Sequence, residues 1–440
     1  MVHIGRFSYG EYTSCVPNIA VIGTGYVGLS SGACFARLGH KVTCVDVDQA
    51  KIDRLNNGFL PIVETGLEEL VREGVQASRL FFTTDVADAT SDAEVVFLCV
   101  PTPEGEDGSA DLSYIQTAAR TLAPLLNPGA VVVNKSTVPV GSTKVVEREL
   151  KRPDIAVVSN PEFLREGSAI QDFLKPDRVV VGSDNREAAL KVASLYEKVN
   201  APVVVTDPAS AETIKYAANA FLATKISYVN AVAAICEGVG ADIRDVVLGL
   251  GYDHRIGHEF LRPGPGWGGS CFPKDTKALV KIAENAGYDF DLLKGVITVN
   301  DQQYGRIVTK IREAAGGSLK GAQIAVWGLT FKAGTDDLRD SPSIEICTRL
   351  VAEGASVRAY DPTVSSAPRQ IAAVEVADSP VSAAVGADVL AVLTEWDEFK
   401  WVEPREIAGA MKGRAVVDAR NHLDRSEWKR ASFDYQGIGR

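Results

Sequence analysis

The stretch from Asn18 to Asp46 constrains the fold of this chain more than any other. Asn18 to Ile22 is a short apolar run, and Gly23-Thr24-Gly25-Tyr26-Val27-Gly28 follows at once. Leu29 to Leu38 is rich in small residues and ends at Gly39; Lys41 to Val45 is a second apolar run, closed by Asp46. The pattern predicts strand, glycine turn, helix, strand, with an acidic residue 18 positions after the last turn glycine. A GxGxxG in that setting is a dinucleotide fingerprint. Its glycines let backbone approach a pyrophosphate, the helix N-terminus offers N–H groups to it, and the carboxylate takes a ribose hydroxyl. An acid at that place repels a 2′-phosphate, so Asp46 favours NAD over NADP. A tight turn without a ligand would need none of the flanking pattern.

More β/α alternation follows. Val95 to Val100, Ala130 to Val133, Ile155 to Val158, Val179 to Val181 and Val203 to Val205 read as buried strands of a parallel sheet covered on both faces. Polar and Pro-rich segments stand at their carboxyl ends, where ligands bind in such sheets: Pro101-Thr102-Pro103, Lys135 to Pro139 and Asn160 to Gly167. Thr137 and Glu162 are thereby expected at one cleft, the alternative being simple turn chemistry. From Ala209 the period becomes helical, and Glu212 to about Glu237 predicts one long helix. Lys215 and Asn219, four apart, share a face of it, suited to an oxyanion or merely solvated.

Gly264-Pro265-Gly266-Trp267-Gly268-Gly269-Ser270-Cys271-Phe272-Pro273-Lys274-Asp275 then sets one thiol in a Gly-dense loop with a Lys and an Asp close behind. That is a setting for a reactive thiolate, although a buried structural Cys is the commoner fate. Helices are expected over 276–286 and 291–315. After Gly316-Gly317-Ser318 the alternation returns, with strands at Gln323 to Trp327, Val357 to Tyr360, Val389 to Leu393 and Ala415 to Val417. Their loops carry Lys332, Asp336, Asp337, Arg339 and Arg420, a set suited to phosphates.

The expected fold is α/β: two Rossmann-like, doubly wound parallel-sheet domains joined by a central helical domain with one long helix. The boundaries read as 1–17, a loose extension; 18–208, the NAD-binding domain; 209–318, the helical domain with the Cys loop; and 319–440, the second nucleotide fold. At 440 residues the chain is too long for one core. A net charge of −11 argues against nucleic acid and anionic membranes. Seven cysteines without a CxxC pair, and five histidines without HExxH, argue against a disulfide framework and a metal site, and a reducing cytoplasm fits better. No apolar run approaches a membrane span.

Taken together, Gly23 to Gly28 with its Tyr-Val-Gly-Leu, Pro101 to Pro103, Lys135 to Gly141, Asn160 to Gly167, Lys215 with Asn219, Gly268 to Asp275, and Phe331-Lys332 through Arg339 resemble the UDP-glucose/GDP-mannose dehydrogenase family over about residues 18 to 425. The resemblance implies a four-electron oxidation of a sugar-nucleotide C6 alcohol to a carboxylate with two NAD+. It makes Cys271 the nucleophile of a thiohemiacetal and then a thioester, whose hydrolysis Glu162 assists. Lys215 and Asn219 would stabilise the oxyanion, and Asp275 with Thr137 would position water or relay a proton.

The same resemblance puts Gly23, Gly25, Tyr26, Val27, Gly28, Asp46, Lys51, Pro101, Thr102, Ser136, Thr137, Glu166, Lys274 and Arg339 at NAD. It puts Glu162, Phe163, Leu164, Lys215, Asn219, Arg255, Phe260, Leu261, Arg262, Gly264, Gly268, Phe331, Lys332 and Arg420 at the sugar nucleotide. Arg255 is similar to an arginine reaching a neighbouring subunit's site, which implies at least a homodimer. The Gly-Gly-Ser-Cys-Phe-Pro-Lys-Asp loop, Phe163-Leu164 and Arg255-Ile256-Gly257 favour the UDP-glucose branch over GDP-mannose or a UDP-N-acetylhexosamine. Pro263-Gly264-Pro265 and Trp267 depart from it, with bulk expected to alter the sugar pocket. A catalytically silent nucleotide-binding protein is the rival of another class, against which the intact Cys, Lys, Asn, Asp and Glu set speaks.

Overall fold

The structure, a computed structural model, describes residues 3–4, 17–103, 105 and 110–440. The chain clusters into two compact units, Met1–Ala218 and Asn219–Arg440.

The first unit is built on β1 (His3–Ile4), β2 (Asn18–Ile22), β3 (Lys41–Val45), β4 (Leu80–Thr83), β5 (Val95–Leu98), β6 (Val131–Asn134), β7 (Ala156–Ser159), β8 (Val179–Gly182) and β9 (Val203–Thr206). Their order across the sheet is β4-β3-β2-β5-β6-β7-β8-β9-β1. The first six of these, in chain sequence 3-2-1-4-5-6, make the dinucleotide-binding sheet the fingerprint predicted. Every residue of β5, β6 and β8 is buried, as Val-rich strands covered on both faces must be. The helix Tyr26–Leu38 lies so close to the sheet that a Cβ on Gly32 would stand 2.5 Å from Cys44 Sγ, which explains its small residues.

A wholly parallel sheet is not what forms. β8 runs antiparallel to β7, β9 is parallel to β8, and β1 is antiparallel to β9. The β7–β8 connection contains only the six-residue helix Ala169–Leu174, about 9 Å long at 1.5 Å per residue. It does not carry the chain back across the sheet, so β8 starts beyond the carboxyl end of β7 and runs back until its last residue, Gly182, pairs with Ser159. The whole of 160–178 is thereby kept at one sheet edge. The N-terminal segment is not all loose either: His3 and Ile4 pair with Val205 and Val204. The rest of 1–16 lies outside the described residues.

In the second unit, β10 (Gln323–Trp327), β11 (Ser356–Tyr360), β12 (Glu375–Val376), β13 (Val389–Val392), β14 (Ala415–Asp418) and β15 (Asp434–Gln436) are ordered β12-β11-β10-β13-β14-β15 and are all parallel. This is again 3-2-1-4-5-6. The likeness extends to the first turn. Gly23 N donates to Val45 O, and Gly328 N donates to Tyr360 O. Asp46 accepts from Thr24 N and Oγ1, and Asp361 accepts from Leu329 N, Thr330 N and Thr330 Oγ1. In both units an Asp just past the second strand clasps the turn after the first, with or without GxGxxG.

The long helix is Pro208–Val239, followed by Ile243–Gly251, Phe272–Asn285 and Asp291–Ala314. By length and composition Pro208–Val239 would pass as a membrane span, which no uninterrupted apolar run in the sequence suggested. Its Ala220, Ala223, Val229, Ala233 and Cys236 are buried among core residues of the second unit, as in the core helix of a globular domain.

Candidate active site

The fingerprint turn is shaped as a cradle. Gly23 has φ +102°, and a Cβ there would stand 2.5 Å from Cys99 O. A Cβ on Gly28 would stand 1.9 Å from Gly23 O, so the turn and the first helical turn are in contact. At Gly25, the N-cap of Tyr26–Leu38, an added Cβ would meet nothing within 4 Å. The middle glycine thus opens onto free space in front of a helix N-terminus, which fits a dinucleotide pyrophosphate. Asp46 closes the cradle, accepting from Thr24 and from Lys51 Nζ at 2.8 Å. Burial alone would raise its pKa, but the bonds from Lys51 and Thr24 outweigh it and hold the carboxyl at about 2. It stays an anion, the form that accepts ribose hydroxyls.

Tyr26 turns to the buried carboxylate of Glu64, which also accepts from Gly167 N at 2.6 Å and Ala169 N at 2.9 Å. Burial first, then that bond, raises the Tyr26 pKa and keeps the phenol protonated. Glu64 therefore ties the fingerprint to the loop bearing Glu166, which is half-buried there. Sequence reasoning missed it, because an acid in a Pro- and Gly-punctuated loop reads as surface. Val27 packs on the core. Thr102 Oγ1 donates to Thr137 O at 3.0 Å, and Ser136 Oγ to Val100 O at 2.7 Å, so the loops after β5 and β6 are stitched together beside exposed Pro101.

Glu162, just past β7, is buried and paired with buried Lys215: Nζ to Oε1 is 3.1 Å, with side-chain exposures of 5% and 4%. Its other oxygen accepts from Leu164 N at 2.6 Å. Phe163 is flanked by two cations, Lys215 Nζ at 5.4 Å from the ring centroid and the Arg178 guanidinium at 3.6 Å. Arg178, placed here by the reversal at β8, is a second residue the sequence did not flag. Glu212 is a third. Buried, it accepts from Gly141 N, Thr143 N and Thr143 Oγ1, capping the helix Ser142–Leu150 and bracing the loop that holds buried Thr137.

In the second unit Cys271 is not deep in a loop but is the N-cap of the helix Phe272–Asn285, so Lys274 and Asp275 lie on that helix. The thiol is half-exposed at a helix N-terminus, where positive potential favours an anionic sulfur. One turn on, Asp275 is fully buried and accepts from Asn219 Nδ2 and Lys274 Nζ, both at 2.6 Å. The loop's glycines are demanded by contact. A Cβ on Gly268 would stand 1.9 Å from Asp340 O, on Gly269 2.8 Å from the Phe331 ring, and on Gly264 3.3 Å from Arg420 Nη1.

The thiol loop is therefore pressed against the carboxyl ends of β10 and β14, where Phe331 and Arg420 stand. Arg420 Nη2 donates to Phe331 O at 2.9 Å. Fully buried Asp418 holds its loop by accepting from Arg420 N, His422 N and Leu423 N. Lys332 lies over the Phe331 ring. The Trp267 indole is buried beside Ala220, Ala223, Leu293 and Val296 and donates to Ser227 Oγ. Leu261 is buried, Phe260 half-buried and Arg262 exposed, and Phe260 holds φ +62°. Arg255 bonds to Asp253 and Arg339 to Asp337, with arginine side chains 77% and 65% exposed.

Three family models match in chain order. They are the NAD-binding domain of the UDP-glucose/GDP-mannose dehydrogenase family over residues 17–200, its central domain over 209–302 and its UDP-binding domain over 325–425. The UDP-glucose 6-dehydrogenase TuaD of Bacillus subtilis (strain 168) is 46% identical over 429 residues, 96% of this chain and 93% of that protein. Among solved structures, a UDP-glucose dehydrogenase from Pyrobaculum islandicum aligns with a TM-score of 0.88 and 35% identity, covering 98% and 99% of the two chains. A UDP-D-ManNAc dehydrogenase from Pyrococcus horikoshii aligns at 0.86 and 29%, covering 96% and 99%. A dinucleotide cradle, a second Rossmann-like sheet with basic loops and a thiol on a helix N-terminus are thus carried by a chain that belongs to the UDP-glucose/GDP-mannose dehydrogenase family and is an NAD-dependent oxidoreductase.

Proposed function

We propose that this chain oxidises the C6 alcohol of UDP-glucose to the carboxylate of UDP-glucuronate, with Cys271 holding the sugar covalently between two oxidations. The observation that carries this is the half-exposed Cys271 at a helix N-cap, above buried Asp275 and Asn219. Gly23 to Gly28, Asp46 and Lys51, with Ser136, Thr137, Glu166, Lys274 and Arg339, would hold NAD+, which would supply the hydride acceptor for each of the two oxidations at C6.

The first oxidation leaves an aldehyde. The Cys271 thiolate adds to its carbon, and the carbonyl oxygen, taking the negative charge and then a proton, gives a thiohemiacetal; Lys215 and Asn219 stabilise the oxyanion. Loss of the second hydride and of the hydroxyl proton leaves a thioester. Water activated by Glu162 adds to that carbonyl, the C–S bond breaks, and carboxylate and thiol result. Asp275 and Thr137 order the water and the proton path. Phe163, Leu164, Phe260 to Arg262, Gly264, Gly268, Phe331, Lys332 and Arg420 hold the sugar nucleotide.

The choice of UDP-glucose rests on the Bacillus relative and on Arg255-Ile256-Gly257. The likeness to the Pyrococcus structure makes a UDP-N-acetylhexosamine the second reading. We also infer a homodimer. Phe221, Tyr228 and Ile235 recur every seven residues on the long helix and are 65%, 56% and 62% exposed, and Leu248 and Tyr252 add to the exposed apolar surface. Exposed apolar side chains repeated along one helix fit a self-complementary interface, with Arg255 reaching the second copy's substrate. The free thiols of Cys34, Cys44, Cys99, Cys236 and Cys347 fit a reducing cytoplasm.

NADH formation from NAD+ with UDP-glucose, GDP-mannose and UDP-N-acetylmannosamine tests the reading. Two NADH per UDP-glucose are expected from the wild type, and Cys271→Ser should stall at or after the first oxidation. Faster turnover of another sugar nucleotide would overturn the substrate; no NADH from any would overturn the enzyme.

A further inference from the structure

Behind the Glu162–Lys215 pair the first unit buries a second lysine that the scheme above does not use. Lys135 directly follows β6, two residues before Thr137, and is 4% exposed. Its ammonium donates to Asn160 Oδ1 and to Tyr196 OH, each at 3.1 Å, and lies 5.9 Å and 5.5 Å from the ring centroids of Phe173 and Tyr196. Tyr196 OH donates to the same Asn160 Oδ1 at 2.6 Å, and Asn160 Nδ2 donates to Val180 O at 2.8 Å. The three side chains form one closed knot. Asn160 is the residue after β7 and stands two before Glu162.

A buried ammonium bonded to no carboxylate is expensive, since neutral acceptors and ring faces replace water only in part. Burial pulls the Lys135 pKa down to about 8. The titratable groups around it are Glu162 past β7, Cys99 past β5, Lys215 on the long helix, Cys34 on the first helix, and Tyr196, whose pKa burial raises. Among the described residues the one carboxyl group in that set is Glu162, and it is already paired with Lys215. A methionine would fill the same volume without that penalty, so packing gives no reason for the charge.

We propose that Lys135 is a positioning residue held against the interest of stability: through Asn160 and Tyr196 it fixes the carboxyl end of β7, and Glu162 beyond it, relative to the end of β6 where Thr137 stands. This rests on the role proposed above for Glu162 and Thr137.

The test compares Lys135→Met and Tyr196→Phe with the full-length wild type, reading melting temperature against pH together with kcat and KM for NAD+. Lys135→Met should melt at or above the wild type at pH 7. That advantage should shrink as pH rises from about 8 toward 10.5, because the wild-type lysine sheds its proton in the folded state first, and folding then gains with pH. Its kcat should fall at least tenfold with KM for NAD+ within about twofold, and Tyr196→Phe, which removes the hydroxyl but leaves the Lys135–Asn160 bond, should fall less. A Lys135→Met protein that melts well below the wild type, or fails to fold, would show the lysine to be structural and overturn the proposal. Unchanged kcat in both variants would overturn it too. An inactive wild type would instead overturn the function assigned above.

Discussion

The cradle makes a sharp prediction about two glycines three residues apart. At Gly25 the backbone is extended (φ −71°, ψ −170°), which alanine adopts freely, and its Cβ would touch nothing within 4 Å. Gly25→Ala should therefore leave the apo protein's stability within about 1 kcal/mol, the modest loss at an N-cap offsetting the lower entropy of the unfolded chain. The new methyl, however, occupies the space in front of the helix N–H groups. Displacing a pyrophosphate from one or two charge-assisted bonds of about 1.5–3 kcal/mol each weakens NAD+ by roughly 100-fold.

At NAD+ one hundred times the wild-type dissociation constant, ligand stabilises the wild type by about 2.7 kcal/mol, a melting shift of roughly 5–10 °C. The same concentration should move Gly25→Ala by only about 1 °C. Gly28→Ala reverses the pattern, because its Cβ would stand 1.9 Å from Gly23 O and 3.0 Å from Cys99 Cβ. Overpacking against backbone should cost about 3 kcal/mol or more before any ligand is added. Differential scanning fluorimetry with and without NAD+ reads both effects. A full NAD+ shift in Gly25→Ala, or an apo melting temperature as low as that of Gly28→Ala, would refute the assignment of the open space to cofactor.

Two further outcomes follow from the same geometry. Asp46 has its pKa depressed from 3.8 to about 2, so its stabilising share is complete above about pH 4 and lost as pH falls toward 2. Asp46→Asn should lose about 1–2 kcal/mol at pH 7, with a flatter acid limb in urea titrations across pH 2–5; an unchanged acid limb would contradict the Lys51 and Thr24 bonds. Tyr228→Glu places a charge in the middle of the exposed Phe221, Tyr228, Ile235 stripe and should shift sedimentation toward monomer. A dimer unaffected by it would place the interface elsewhere.

Much of this molecule was legible in one dimension. The fingerprint, its flanking strands, Asp46, the long helix and the thiol loop are local patterns, set by side-chain periodicity and by backbone conformations only glycine adopts freely. Seven short motifs in order were enough to identify the family. Other features depended on which segments meet. The reversal at β8 arises because a six-residue helix cannot carry the chain across the sheet, and it alone sets Arg178 over Phe163. Glu64, Glu212 and Asp418 belong to no motif legible in the sequence, yet folding buries them against backbone N–H groups of the loops that bear the candidate site. Trp267 reads in sequence as added bulk by the sugar pocket, and folding buries its indole against Ala220 and Ala223 of the long helix.

The division has one physical cause. Local sequence determines what a segment prefers as helix, strand or turn. Whether a charged side chain ends in water or in a buried knot such as Lys135, Asn160 and Tyr196 depends on partners 25 and 61 residues away. Only the packed tertiary structure brings those partners within hydrogen-bonding distance.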